Sequence, residues 1–267
     1  MSLNWAFAAR GGWCGPSAGA PFTPCRPREQ VMPSIAVILA RKGSKGLPGK
    51  NIMPIAGRAC VEWTIDDALA SRVDRVLVSS DDQAVLSVAH RRGVSIHRRS
   101  AENAGDTATV DCAVREALGG IDADPVVILY ANVPIRPPGV IDRALDLLDG
   151  CGCDSVQSYQ PVGKHHPWWT ARVDAEGLVR PWEGDVLYHG VFRRQDLPEA
   201  CTPTGAVIVV RRAALELQLG ARPGPHGFFG LDRRGVVDPV GQTVDIDGPL
   251  DALVADVMLT QRLRSAA

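Results

Sequence analysis

The stretch Ile35–Asn51, "IAVILARKGSKGLPGKN", decides the architecture of this chain. Ile35 to Ala40 is a short apolar run that reads as a β-strand. The eleven residues after it, Arg41 to Asn51, hold three glycines, three lysines and an arginine. The whole chain has four lysines against twenty-five arginines, so three of its four lysines lie in this one loop. Lysine is a compact, rotatable point charge and arginine a planar fork, so the loop reads as a site that wants point charges.

Outward from this stretch the alternation of short β-branched runs with helical segments continues. Further strands are expected at 75–79, 126–130, 154–159 and 206–210. Asp81 or Asp82 can cap a helix running to Arg92 and stopped by Gly93, and Asp106-Thr107 can cap another ending near Gly119-Gly120. Leu250, Leu253, Val254, Val257 and Met258 are spaced to make one apolar face of a last helix, expected to close the core. The pattern is that of an α/β fold with a mainly parallel sheet flanked by helices. In such sheets ligands bind beyond the carboxyl ends of the strands, where the opening loop lies. Its glycines let backbone N–H groups approach an anion, and Arg41, Lys45 and Lys50 can neutralise a polyphosphate. A Walker A loop would need Gly at Ser44 and Ser or Thr at Asn51, and no GxGxxG is present. The competing account is a solvated basic turn.

At 267 residues the chain can bury a full core. Its formal net charge of −1 supplies no global field for nucleic acid or an anionic membrane, so any anion is bound locally. No run reaches the roughly 18 apolar residues of a membrane helix. The seven cysteines are odd in number, and Cys151-Gly152-Cys153 has no second pair at zinc spacing, which points to a reduced, cytoplasmic protein. Residues 1–31 are rich in Gly, Pro and Ala without periodicity and read as a disordered leader, an added segment or an upstream start. Residues 32–267 then form a single functional domain. Within it, 160–204 breaks the rhythm with five prolines and three of the six tryptophans, as expected of a lid, substrate loop or dimerisation arm.

Asp245 and Asp247, in "TVDIDGPLD", lie two apart in an expected strand, so their side chains share one face. Two hard oxygen donors suit magnesium, which keeps waters and adds substrate phosphates to a few carboxylates. Alternatively Asp247 caps the following helix. Asp251 reads as a helix-surface residue.

In order along the chain, "ILARKGSKGLPGKNI", "VLVSSDD", "RRSAENAGDTAT", "RRQDLP" and "VDIDGPLD" resemble the acylneuraminate cytidylyltransferase family, the CMP-sialic acid synthetases and their relatives for other nonulosonic acids. The resemblance covers residue 35 to about 262. It implies a Rossmann-like nucleotidyltransferase fold, usually homodimeric, that uses CTP and magnesium to load a 2-keto sugar acid with CMP and release pyrophosphate. By matching position it implies phosphate and nucleotide contacts at Ala40, Arg41, Gly43, Ser44, Lys45, Lys50, Asn51 and Arg99. Arg41, Lys45, Lys50 and Asp247 are the catalytic set it implies, and Asp245 with Asp247 the metal ligands. Arg99 could equally be a surface arginine, and Asp106 no more than a helix cap. No side-chain general base is assigned, and nothing in the sequence places His165 or His166 at the α-phosphorus.

The chain also departs from that family. Where many relatives read "QPTSPLR" it reads "YANVPIR", so Tyr130, Ala131 and Asn132 replace Gln, Pro and Thr while Pro134 and Arg136 remain. Thr204 and Ile208 stand where Asn and Tyr are common. A buried polar group without its partner costs roughly 1 to 3 kcal/mol, so the sugar specificity is expected to differ from that for N-acetylneuraminate. Tyr130, Asn132, Arg136, Lys164, Gln195 and the Phe228-Phe229 pair are the sugar-site candidates, with Arg194 and the Trp168-Trp169 pair beside them. Burial in a core or dimer interface is the alternative for the aromatic pairs, and a surface position for Lys164. A Kdo-type or other sugar nucleotidyltransferase, or a non-catalytic nucleotide-binding protein on the same fold, is the alternative function.

Overall fold

A computed structural model describes residues 32–44 and 46–266. The expected leader at 1–31 and the site residue Lys45 therefore lie outside the described residues. In chain order the elements are β1 (Ile35–Leu39), β2 (Pro54–Ile55), β3 (Arg58–Ala59), α1 (Cys60–Ala70), β4 (Arg75–Ser80), α2 (Gln83–Arg91) and β5 (Ser95–Arg98). There follow α3 (Ala101–Ala104), α4 (Val110–Leu118), β6 (Val126–Tyr130), α5 (Val140–Cys151) and β7 (Ser155–Pro161). The remainder is β8 (Ala171–Val173), β9 (Val179–Pro181), β10 (Cys201–Val210), α6 (Arg212–Leu215), β11 (Arg233–Val237) and α7 (Pro249–Ala266).

Seven strands form one sheet in the order β11-β7-β10-β6-β1-β4-β5. Only β10 runs against its neighbours β6 and β7, so the sheet is mainly parallel as its βαβ rhythm requires. Alternation along β1 explains its unbroken apolar sequence. Ala36 and Ile38 face the core shared with α1, α2 and α5, while Ile35, Val37 and Leu39 face the core shared with α4. Fully burying each such large side chain is worth about 1.5–3 kcal/mol, which makes β1 the anchor of the sheet.

Asp82 caps α2 as expected, accepting from Ala84 N–H at 2.9 Å. Helix α4 starts later than its sequence suggests. Thr109 stands at its N-cap without a side-chain bond, and Asp106 instead accepts from Arg41 Nη1 at 2.9 Å. Strand β10 begins five residues earlier than expected, at Cys201, and its register shifts between Pro203 and Ile208, because proline cannot donate to the ladder.

Three expectations are corrected here. Residues 243–247 are not a strand; Val244 alone makes an isolated bridge to Ile135. Helix α7 turns its sequence-apolar stripe outward, with Leu250 72 %, Leu253 66 % and Val257 53 % exposed. Of that stripe Met258 alone packs inward, and the helix docks through it together with Ala252, Ala255 and Leu259. Finally, Phe228 and Phe229, stacked at 4.3 Å, belong to the core beneath α4 and not to a ligand pocket.

Candidate active site

A cleft of about 420 Å³ opens where β1, β5 and β6 end. The loop after β1 brings Arg41, Ser44, Gly46, Lys50 and Asn51 to its wall. Pro48 and Gly49 set the turn that returns this loop: Gly49 has φ +69°, and its carbonyl accepts from the N–H groups of Ile52 and Met53 at 3.0 Å each. Lys50 then reaches the segment before α7, where its Nζ donates to the Ile246 carbonyl at 2.7 Å and to Asp247 Oδ1 at 2.8 Å. Gly46 packs so closely on that segment that an added Cβ would lie 2.4 Å from the Asp247 carbonyl oxygen. Loop and carboxylate segment are thus pressed together along one edge of the cleft.

Asn51 is buried, and its Nδ2 donates to the Arg41 carbonyl at 2.8 Å while its Oδ1 has no hydrogen-bond partner among the described residues. An unpaired buried acceptor of this kind suits a donor-bearing ligand. Across the cleft Arg99 is also buried, held by Ser79 through Nη2 to the carbonyl at 2.8 Å and Nε to the hydroxyl at 3.2 Å. Burial pulls its pKa below the ordinary arginine value, opposed by the Asp81 and Glu116 charges. Asn103, Gly105, Asp106 and Thr109 complete the opposite wall. Sequence reasoning assigned none of these four a ligand role, although all lie in "RRSAENAGDTAT"; their types match ordinary helix-cap and turn residues equally well.

Not every expected nucleotide contact faces the cleft. Ala40 is buried, its N–H given to the Ser79 carbonyl and its own carbonyl taken by Ser80 Oγ. Gly43 lies beside the lining residues without joining them.

The two aspartates differ in setting. Asp247 is 79 % exposed and paired with Lys50, itself 13 % exposed. Asp245 is half-buried, accepts from Asn132 Nδ2, and its pKa is pushed up to about 6, first by burial and then by the charge of Asp247. Two close carboxylates, one short of solvent, form a hard-oxygen pair whose repulsion a divalent cation relieves. Among the described residues there is no group of three or more His, Cys, Asp or Glu side chains arranged for a metal. The donor set therefore fits a cation that fills its remaining positions with water or phosphate. Asp251 proves to be more than a surface residue, since its Oδ2 accepts from the N–H groups of Asp247 at 3.0 Å and Gly248 at 2.8 Å. It caps α7 from within the first turn and holds the aspartate segment in place.

A second cleft of about 520 Å³ adjoins, lined by Gln160, Thr204, Gly205, Thr243, Asp245 and Leu250 among others. The hydrogen-bonded pair Asn132 and Asp245 contributes one residue to each cleft. Tyr130 lines the first, and an added Cβ on Gly205 would lie 3.6 Å from its ring and 3.3 Å from Asp245 Oδ2. Burial, then the charge of Asp245, raises the Tyr130 pKa.

Five of the sugar-site candidates do not line either cleft. Arg136 is buried, and its guanidinium clamps the carbonyls of Tyr130 (2.9 Å) and Ala206 (2.7 Å), Thr64 Oγ1 (3.0 Å) and Asp67 (3.3 Å). It is a structural brace, and Phe228 and Phe229 are core. Lys164 and Gln195 are exposed on the irregular segment and line neither cleft. In that segment Trp168 stacks on His189 at 4.5 Å and meets His166 edge-on, while Trp169 Nε1 donates to the Val191 carbonyl at 2.9 Å.

The family model described as cytidylyltransferase matches residues 35–198, which carry the loop after β1 and Arg99. The chain belongs to the cytidylyltransferase family. Among curated proteins, this cytidylyltransferase-family chain is 32 % identical over 182 residues to the N-acylneuraminate cytidylyltransferase of Streptococcus agalactiae serotype III, covering 67 % of this chain and 43 % of that protein. It is 30 % identical over 248 residues to N-acylneuraminate cytidylyltransferase B of Danio rerio, covering 92 % and 55 % respectively. The chain spans about half the length of the curated relatives it matches. Among solved structures, a CMP:2-keto-3-deoxy-manno-octonic acid synthetase complexed with CTP superposes with TM-score 0.66 at 18 % identity, covering 86 % of this chain and 99 % of that one. A 4-diphosphocytidyl-2C-methyl-D-erythritol synthase from Anaerococcus prevotii gives 0.56 at 14 %, covering 85 % and 98 %. At these identities the superpositions speak to the Rossmann-like nucleotidyltransferase fold alone. No helix among the described residues is long and apolar enough to cross a membrane.

Proposed function

We propose that this chain is a nucleotidyltransferase that transfers CMP from CTP to the anomeric hydroxyl of a nonulosonic, sialic acid-like 2-keto sugar acid, releasing pyrophosphate. The observation that carries the reading is the meeting of Arg41, Lys50, Asn51 and Arg99 with the Asp247 carboxylate along one cleft, with Asp245 lining the adjoining cleft and bonded to Asn132 of the first. The names of the matched relatives supply the nucleotide and the sugar class.

In this reading the first cleft takes the nucleotide and the adjoining one the sugar acid, with the junction at Asn132 and Asp245. Arg41 and Lys50 face the phosphates, Lys45 is assigned to the same group by its place in the loop, and Ser44 and Gly46 offer close backbone approach. Cations fixed around the leaving pyrophosphate stabilise the charge that develops there, which is the principal contribution a protein makes to phosphoryl transfer. Arg99 and the unpaired Asn51 Oδ1 serve the nucleoside side. Asn132 orients the Asp245 carboxylate, and Asp251 fixes the backbone that carries Asp247. Asp245 and Asp247 would hold magnesium, which when bound supplies charge neutralisation at phosphate oxygens and a lowered pKa for a bound hydroxyl.

Residues 32–267 are read as one cytidylyltransferase domain that works in the cytoplasm as a homodimer. The described cysteines are all free thiols, and the outward apolar stripe of α7 with Phe192, 84 % exposed on the irregular arm, is surface that a second copy can cover. The test is pyrophosphate release with magnesium and CTP across a panel of nonulosonic acids and Kdo, with Asp247→Ala as control. Release with one acid, abolished in the variant, supports the reading. Absence of CTP binding by calorimetry removes it, and release with Kdo alone moves the substrate class.

A further inference from the structure

Ser79 and His97 are register partners in the parallel pair β4 and β5. Ser79 is fully buried and its hydroxyl has two polar neighbours: Arg99 Nε donates to it at 3.2 Å, and His97 Nδ1 lies 3.1 Å away. Since Arg99 can only donate, the serine proton is left for His97 Nδ1, and the neutral ring then carries its own proton on Nε2. That nitrogen faces Glu116 of α4, whose Oε1 is 3.9 Å away and also accepts from Ser100 N–H at 2.8 Å. A directional hydrogen-bond chain thus runs from the cleft arginine through the serine to the histidine, with the partly buried Glu116 carboxylate 3.9 Å beyond it.

We propose that Ser79 and His97 are positioning residues for Arg99, a hydrogen-bond chain that holds its guanidinium where the nucleotide binds. This rests on the assignment of the first cleft to CTP. Arg99 Nη2 keeps its bond to the Ser79 carbonyl whatever happens to the side chain, so loss of the chain loosens the guanidinium without freeing it. Protonation of His97 would turn Nδ1 into a donor. Ser79 would then accept from both sides, its own proton would lose its acceptor, and a second cation would stand beside Arg99. The groups that face His97 are Ser79 from β4, Arg99 just past the end of its own strand β5 and Glu116 from α4. Burial holds the ring below its ordinary 6.5, with Glu116 opposing and Arg99 adding to the shift. The ordered chain is therefore the state above that range and is lost on the acid side.

The test measures CTP affinity by calorimetry with magnesium, together with kcat and KM, from about pH 5.5 to about pH 8, across the range where histidine titrates. Ser79→Ala and His97→Phe are expected to bind CTP about three- to tenfold more weakly at the alkaline end, the worth of one neutral hydrogen bond, with KM moved more than kcat. His97→Gln, whose amide oxygen can take the serine proton and does not titrate, is expected to restore affinity. It should also lack the acid-side weakening of the wild type; titration of CTP itself is common to both and cancels in the difference. Wild-type affinity in both Ser79→Ala and His97→Phe, or parallel pH profiles for wild type and His97→Gln, overturns the proposal. Failure of the wild type to bind CTP overturns the cleft assignment and this proposal with it.

Discussion

Gly46→Ala is the substitution that most directly probes how the phosphate loop is held against the aspartate segment. The new Cβ would sit 2.4 Å from the Asp247 carbonyl oxygen and 3.6 Å from its carbon. Carbon and oxygen in ordinary contact stand about 3.4 Å apart, so loop or segment must retreat by about 1 Å. Backbone meets backbone, and no flexible side chain can give way. Overpacking of this kind costs about 1–3 kcal/mol, and for a chain of this size each kcal/mol lowers Tm by roughly 2–4 °C. The larger effect falls on activity. A retreat of that size breaks the Lys50 bonds of 2.7 and 2.8 Å to Ile246 and Asp247, and a misplacement of about 1 Å at a reacting site can cost about a hundredfold. Steady-state pyrophosphate release is expected to show that fall in kcat/KM, while thermal unfolding shows only the modest Tm loss. Gly43→Ala, where an added Cβ meets nothing within 4 Å among the described residues, is the matched control and should stay close to wild type. Equal activity of the two variants would refute the argument that the loop is pinned at Gly46.

Arg136→Met should destabilise strongly, by about 3–5 kcal/mol, because Asp67 and several carbonyls lose a buried partner, and should show as a Tm lower by roughly 6–20 °C. Phe229→Ala should cost about 3–5 kcal/mol as a core truncation, with KM for the sugar acid unchanged once the folded fraction is normalised. Asn132→Leu removes the donor that orients Asp245; activity against magnesium concentration should show an apparent requirement raised about 10- to 100-fold. Because folded His97 titrates below its ordinary 6.5, the unfolded chain binds its proton first, and this component of stability falls as pH drops below that value. His97→Phe should lose that component, measured as Tm between about pH 7 and about pH 5.

Much of this site was legible because it is built from neighbours in sequence. The run Ile35–Leu39 had to be a buried strand, the loop after it had to lie at the strand's carboxyl end, and its concentrated lysines had few bland explanations. Ordered motifs pointed to Arg99, Asp245 and Asp247, which the fold places along the two adjoining clefts. Arg136 and the Phe pair were misassigned for one reason. Residue type and local pattern do not reveal whether an arginine or an aromatic ring faces a cleft or is enclosed, since enclosure depends on strands and helices far away in the chain.

The same division explains α7 and the aspartates. Periodicity alone determined that Pro249–Ala266 is a helix with an apolar stripe, and the alternation of elements determined an α/β sheet. Which side of α7 docks was decided by its seating over β2 and α1, where Ala252, Ala255, Met258 and Leu259 pack while Leu250, Leu253 and Val257 face outward. The pairing of Lys50 with Asp247, of Asn132 with Asp245, and of Ser79 with both Arg99 and His97 spans separations of up to 197 residues. Such contacts arise only when the sheet sets its strands in register, because hydrogen bonds act over about 3 Å while sequence separation carries no distance of its own.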